Sequence, residues 1–171
     1  MEKERTSFEQ LIFHLKQLIF IYRALFTLAD HKKQAIIKDD IDEVNKLTMQ
    51  ETKALKPVPE LEAGVRQLIT QLQRDLGFRP KLKMTVSELI TMLVDPEQKQ
   101  ELTVLQNDII AVSEKLKRAN ELNQQLIQQS LQYVNFSLDL LVGPEDEEFT
   151  YKRPTLQPEN QRRTGIYDTR A

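Results

Sequence analysis

The chain has 171 residues, 40% of them hydrophobic and 29% charged, with 4 Gly, 7 Pro and no Cys. That is one domain's length, and the shortage of glycine argues against the tight turns of β-rich folds and the Gly-rich loops that cradle phosphates. The lack of cysteine excludes disulfides and thiol chemistry, and the net charge of −2 supplies no broad basic field for nucleic acid. Leu, Gln, Glu and Lys dominate, and these straight-chain residues favour helix. The expected class is all-α. The opening Met1-Glu2-Lys3-Glu4-Arg5 places acids where a secretory leader is basic. The longest apolar run in this region, Leu18 to Tyr22, ends at Arg23, so no bilayer span is expected.

The first predicted helix runs from Phe8 to Lys38. Phe8, Leu11, Leu15, Leu18, Tyr22, Leu25, Ala29 and Ile36 follow three-four steps, a heptad seam. Ile12, Ile19 and Phe26 add a neighbouring stripe, so this helix should touch more than one partner. Ser7 with Gln10 reads as a capping box at its start, and Asp40 with Glu43 as another opening the second helix. That helix carries Ile41, Val44, Leu47 and Leu55 before Pro57 and Pro59 interrupt it. Val58, preceding a proline, is expected outside the α region, giving a kink or short break with a restart near Glu60. Leu61, Val65, Leu68 and Leu72 then continue to Leu76, and Gly77 is the natural stop.

A loop from Phe78 to Met84 follows, with Arg79, Lys81 and Lys83 read as a solvated group. Thr85 and Glu88 cap a short helix through Val94. Asp95, Pro96 and Gln98 open the last helix, expected to run from Pro96 to Val142, roughly 70 Å at 1.5 Å per residue. Its apolar residues begin as Leu102, Leu105, Ile109, Val112, Leu116 and Ala119. They then slip in phase to Leu122, Leu126, Ile127, Leu131, Val134, Leu138 and Leu141. Asn120 and Asn123 stand at the slip, where a buried asparagine sets helix register at a cost in stability.

These elements predict an elongated, antiparallel up-down-up bundle or coiled coil of three long helices with one short extra helix. Residues 1–142 form the helical domain. Residues 143–171, with mixed charge and few large apolar side chains, are read as a disordered tail. The last helix outruns the first by roughly 24 Å on these boundaries. Its apolar end is therefore either a partner site or a face covered by the kinked second helix or a second copy of the chain. His14 and His31 lie too far apart on one helix to share a metal, and no nucleophile-base-acid set can be assembled. Neither enzymatic activity nor a cofactor is expected.

The run Asn120-Glu-Leu-Asn123-Gln-Gln-Leu126-Ile127-Gln-Gln-Ser130-Leu131, continuing to Val134, Leu138 and Leu141, resembles the last helix of FlgN-type flagellar export chaperones. The stretch Lys32-x-x-Ala35-Ile36-Ile37-x-Asp39 with Val44, Leu47, Glu51, Leu55, Leu61, Glu62 and Arg66 is similar to that family's helical hairpin. Leu76-Gly77 leading into Thr85-Val86-Ser87-Glu88-Leu89-Ile90 extends the likeness, which covers residues 8 to 142 in order. The resemblance implies a cytoplasmic chaperone for the C-terminal helical segments of hook-associated proteins, which join hook to filament. It implies cargo binding by Leu126, Ile127, Leu131, Val134, Leu138 and Leu141. It also implies docking to the cytoplasmic domain of the export gate by a tyrosine beyond the last helix. Tyr151 stands in that place, although Lys152-Arg153-Pro154 follows it where relatives often have glycine, and Tyr167 is a competitor. A coiled-coil adaptor that self-associates through the same stripe is the alternative.

Overall fold

The computed structural model describes residues 2–79 and 84–142, and these are helical apart from short connections. Lys81, Lys83, Tyr151, Tyr167 and the expected disordered tail lie outside the described residues. Five helical segments follow one another: α1 (Glu2–Ile37), α2 (Ile41–Leu55), α3 (Val58–Asp75), α4 (Val86–Met92) and α5 (Pro96–Val142). The chain divides into two compact units, Met1–Val134 and Asn135–Ala171.

Both stripes of α1 are used. Leu11, Leu15 and Leu18 from one, and Ile12 and Ile19 from the other, are buried with Val65, Ile69 and Leu72 of α3, Leu89 of α4 and Leu102 and Leu105 of α5. Fully burying one such side chain is worth about 1.5–3 kcal/mol, so this shared core outweighs any single polar contact. Polar pairs join the helices at separate points. Ser7 Oγ donates to Asp75 Oδ2 at 3.0 Å, and Tyr22 OH donates to Glu62 Oε1 at 3.2 Å, both between α1 and α3. Along α1 and α5 the partner numbers rise together, from Lys16–Glu101 at 3.2 Å through Arg23–Asp108 at 3.3 Å to Ala29–Asn123. Gly64 lets α3 approach α1 closely. A β-carbon there would lie 2.8 Å from the His14 ring, whose Nδ1 sits 2.9 Å from the Gln10 carbonyl oxygen.

The helix ends correct several expectations. The first helix starts at Glu2, so Ser7 lies inside it, buried and bonded to Asp75 rather than capping with Gln10. At the double proline the expected kink is what forms, since Lys56 and Pro57 keep right-handed dihedrals, but α3 restarts at Val58, two residues before Glu60. Val58 is helical despite preceding Pro59, because its side chain is buried in the core and that burial overrides a local preference. The short helix stops at Met92, where Leu93 turns extended and buries its side chain. The Asp95 carboxylate accepts from the Glu97 N–H at 2.9 Å rather than working through Gln98.

Other ends follow the sequence. Thr85 and Glu88 form the reciprocal capping box, and Asp40 accepts from the Glu43 N–H at 3.0 Å. Gly77 takes φ +79°, and Phe78 N–H reaches the Gln73 carbonyl while Gly77 N–H reaches that of Arg74. This is the paired closure that a left-handed residue permits. Asp39 closes α1 the same way, with φ 54°, Asp40 N–H to Ala35 oxygen and Asp39 N–H to Ile36 oxygen. Lys32 and Glu51 then join α1 to α2 by an ion pair at 2.5 Å with both side chains largely covered.

By length and composition alone, Arg5–Ile37 contains a stretch apolar enough to cross a membrane, although charged residues interrupt its apolar runs. Its leucines form the core described above, and its Lys16 and Arg23 pair with α5.

Burial raises the pKa of Tyr22 above the usual value of 10.0, and the neighbouring Glu62 charge and hydrogen bond add to the shift. A raised folded-state value gives a contribution that is fully present below about pH 10 and lost as pH rises through the folded pKa. Chemical denaturation across pH 9 to 12 should therefore show an alkaline loss of stability that is smaller in Tyr22→Phe. Equal losses in the two proteins would contradict it.

Candidate functional site

Along α5 the covered positions are Leu102, Leu105 and Val112, then partly covered Leu116 and Ala119, then Asn123, which is 2% exposed. Leu126 and Ser130 continue this face as half-buried residues. The packed face therefore keeps its three-four phase, whereas the apolar residues leave it. Leu131, eight residues after Asn123, is rotated by roughly 80° at 100° per residue. This refines the expected slip: the apolar side chains move round the helix, and polar ones take over the seam. Ile127 and Leu131 are consequently exposed, with Leu131 at 57%, and Val134 is exposed as well although it lies only about 20° from Asn123 by the same count. In the second unit Phe136, Leu138, Leu140 and Leu141 are exposed as well.

The exposed residues of the first unit help to form a cavity. Ile127, Ser130, Leu131 and Val134 of α5 line a space of about 240 Å3 with Ile36, Ile41 and Val44. The tight reversal at Asp39 positions these last three, bringing the end of α1 and the start of α2 beside each other. Asp39 and Asp40 complete the set of residues around it, exposed at its edge, while its lining surface is almost wholly apolar. Part of the stripe expected to overhang is thus one wall of a cleft made with the α1–α2 hairpin.

A second cavity, of about 290 Å3, lies along the same two helices. Phe26, Ala29, Ala119 and Leu122 give it an apolar floor, with Lys33, Lys115, Arg118 and Asp30 around it. The Lys33 ammonium bonds Asp30 and holds its carboxyl below the ordinary range.

The two asparagines separate. Asn120 is exposed, contrary to the expected place in the seam. Asn123 is buried and donates through Nδ2 to the Ala29 carbonyl at 2.8 Å, while its Oδ1 has no hydrogen-bond partner. His14 is half-buried against Gly64 and His31 is exposed. Among the described residues, no group of three or more His, Asp or Glu side chains is placed to hold a metal.

The sequence carries a further signal that the apolar seam does not show. Between Glu121 and Asp139 there is no Asp, Glu, Lys or Arg. A solvated helix normally spends its outer face on charge, and charged residues are depleted at the centres of protein interfaces. Asparagine, glutamine and serine here keep the helix wet without the desolvation cost of a charge.

The last helix of this helical chain thus presents an uncharged, partly apolar surface, part of it beside a cleft. Comparison with known proteins shows the class: the family model described as FlgN protein matches residues 1–158, and the chain belongs to that family of flagellar export chaperones. It is similar to the Bacillus subtilis (strain 168) protein described as "Uncharacterized protein YvyG", 29% identical over 147 residues, spanning 86% of this chain and 88% of the relative. No solved structure matches. The family is one of chaperones rather than enzymes, and its partners are flagellar proteins.

Because Leu131 is 57% exposed, its side chain contributes little to the fold. Leu131→Gln should change stability by less than about 0.5 kcal/mol, or about 2 °C in a thermal melt followed by circular dichroism. A larger loss would show the stripe to be part of the core.

Proposed function

We propose that this protein is a cytoplasmic chaperone that holds the C-terminal helical segments of hook-associated proteins, keeps them from aggregating, and delivers them to the flagellar export gate. The observation that carries this reading is the charge-free, exposed apolar surface of α5. A helical cargo segment would lay its apolar face against Ile127, Leu131 and Val134, with Leu126 at the edge and Leu138 and Leu141 contributing from the last turns of the helix. Burial against such a surface is favourable by roughly 25 cal/mol per Å2 before association costs. The helix pairings support an up-down-up order for the body that carries it. Tyr151 is the residue proposed to dock to the cytoplasmic domain of the gate, with Tyr167 the alternative.

Binding is measured by fluorescence anisotropy with labelled C-terminal segments of hook-associated proteins. The full chain should bind at least one, and Ile127→Gln with Leu131→Gln should weaken that binding by about tenfold or more. Absence of binding, together with a concentration-dependent dimer in sedimentation equilibrium, would instead favour a self-associating adaptor.

We also assign Asn123 to fixing the register of α5 against α1, with Asn120 outside that role. A half-satisfied buried amide costs stability, and its value lies in disfavouring other pairings. Asn123→Leu should raise stability by about 1 kcal/mol while broadening the distribution of oligomers in sedimentation. A lowered melting temperature with one unchanged species would refute the assignment.

A further inference from the structure

The cavity between the α1–α2 hairpin and α5 is apolar except at one end. There Asp39 and Asp40, both exposed, stand at its rim, and Ser130 is the polar residue that α5 contributes. The carboxylates do unequal work in the fold. Asp40 uses one oxygen to cap α2 through the Glu43 N–H. Among the described residues the Asp39 carboxylate has no hydrogen bond or ion pair, although its backbone occupies the left-handed region at φ 54°, where glycine would be the less strained choice. The Asp39 side chain is thus held at a left-handed turn without bonding to its own chain.

The surrounding charge is lopsided. Lys38 stands against Asp39, Asp40 and Asp42, and Glu43 is occupied by Lys46 at 2.9 Å. The facing stretch of α5 carries no charge at all. An occupant of the cavity therefore meets aliphatic walls and a net negative rim.

From this we infer that the segment held here is an amphipathic helix with a lysine or arginine about one turn from its apolar anchors, the basic group meeting Asp39 and Asp40. The inference rests on the chaperone reading above and adds the charge of its cargo. It makes the α1–α2 turn, and not α5 alone, part of the binding site. A second copy of this chain is the poorer occupant, because the charge-free run of its α5 ends at Asp139, of the same sign as the rim. The cavity, at about 240 Å3, falls below the usual span of small-molecule pockets and suits a few inserted side chains.

The test uses the full chain and a synthetic peptide carrying the C-terminal helical segment of a hook-associated protein that binds it. Asp39→Asn and Asp40→Asn remove the charges while keeping a residue type that tolerates the left-handed turn and one that still caps α2. Binding should weaken by roughly threefold for Asp39→Asn and roughly tenfold for the double variant at low salt. The difference should shrink as salt is raised. The same peptide with its lysines and arginines replaced by glutamine should bind the wild type and the double variant equally. Unchanged affinity in the double variant, while Ile127→Gln with Leu131→Gln still abolishes binding, overturns this inference and leaves the chaperone reading standing. No binding by the wild type to any such segment overturns both.

Discussion

Everything in the first unit is arranged around the burial of two adjacent apolar stripes on α1. A helix with one stripe can be satisfied by one neighbour, whereas Leu11, Leu15 and Leu18 beside Ile12 and Ile19 need cover over a wide arc. α3 supplies part of it, α4 adds Leu89, and the start of α5 adds Leu102 and Leu105. Gly64 narrows the gap to α3, so the His14 ring can rest on bare backbone. The kink at Pro57 serves the same end. It redirects the chain without a loop, and Val58 goes straight into the core.

Polar groups then select among the many ways of packing such stripes. The ion pair of Lys32 with Glu51, the hydrogen bond of Ser7 with Asp75 and the amide of Asn123 each join different helices at one relative position. Apolar contact is tolerant of sliding by a turn, because a heptad looks much the same one repeat along. A covered charge or amide is less tolerant, because displacement leaves it without a partner in a poorly solvating environment.

The helices and their ends were legible in the sequence because they depend on local rules. Thr85 with Glu88, Asp40 with Glu43, and Gly77 each act on backbone groups within a few residues. Where a tertiary contact competes, local reading failed: Ser7 looked like a cap and is a buried partner of Asp75, and Val58 looked excluded from helix and is core. The apolar residues of α5 were also legible, but periodicity could not say which face of the helix is packed. Asn120 and Asn123 lie one turn apart, yet only Asn123 meets Ala29. The cleft was illegible for a related reason. It depends on where the reversal at Asp39 brings Ile36 and Ile41 relative to α5, a long-range relation.

The charge-free run of α5 bears on the behaviour of the molecule before any partner arrives. Two like-charged molecules in solution are kept apart by long-range repulsion, and this chain has a net charge of only −2. Over residues 122–138 even local repulsion is missing, so encounters between copies there are resisted only by the hydration of asparagine, glutamine and serine. The colloidal stability of the free protein is therefore weakest at the surface proposed to receive cargo.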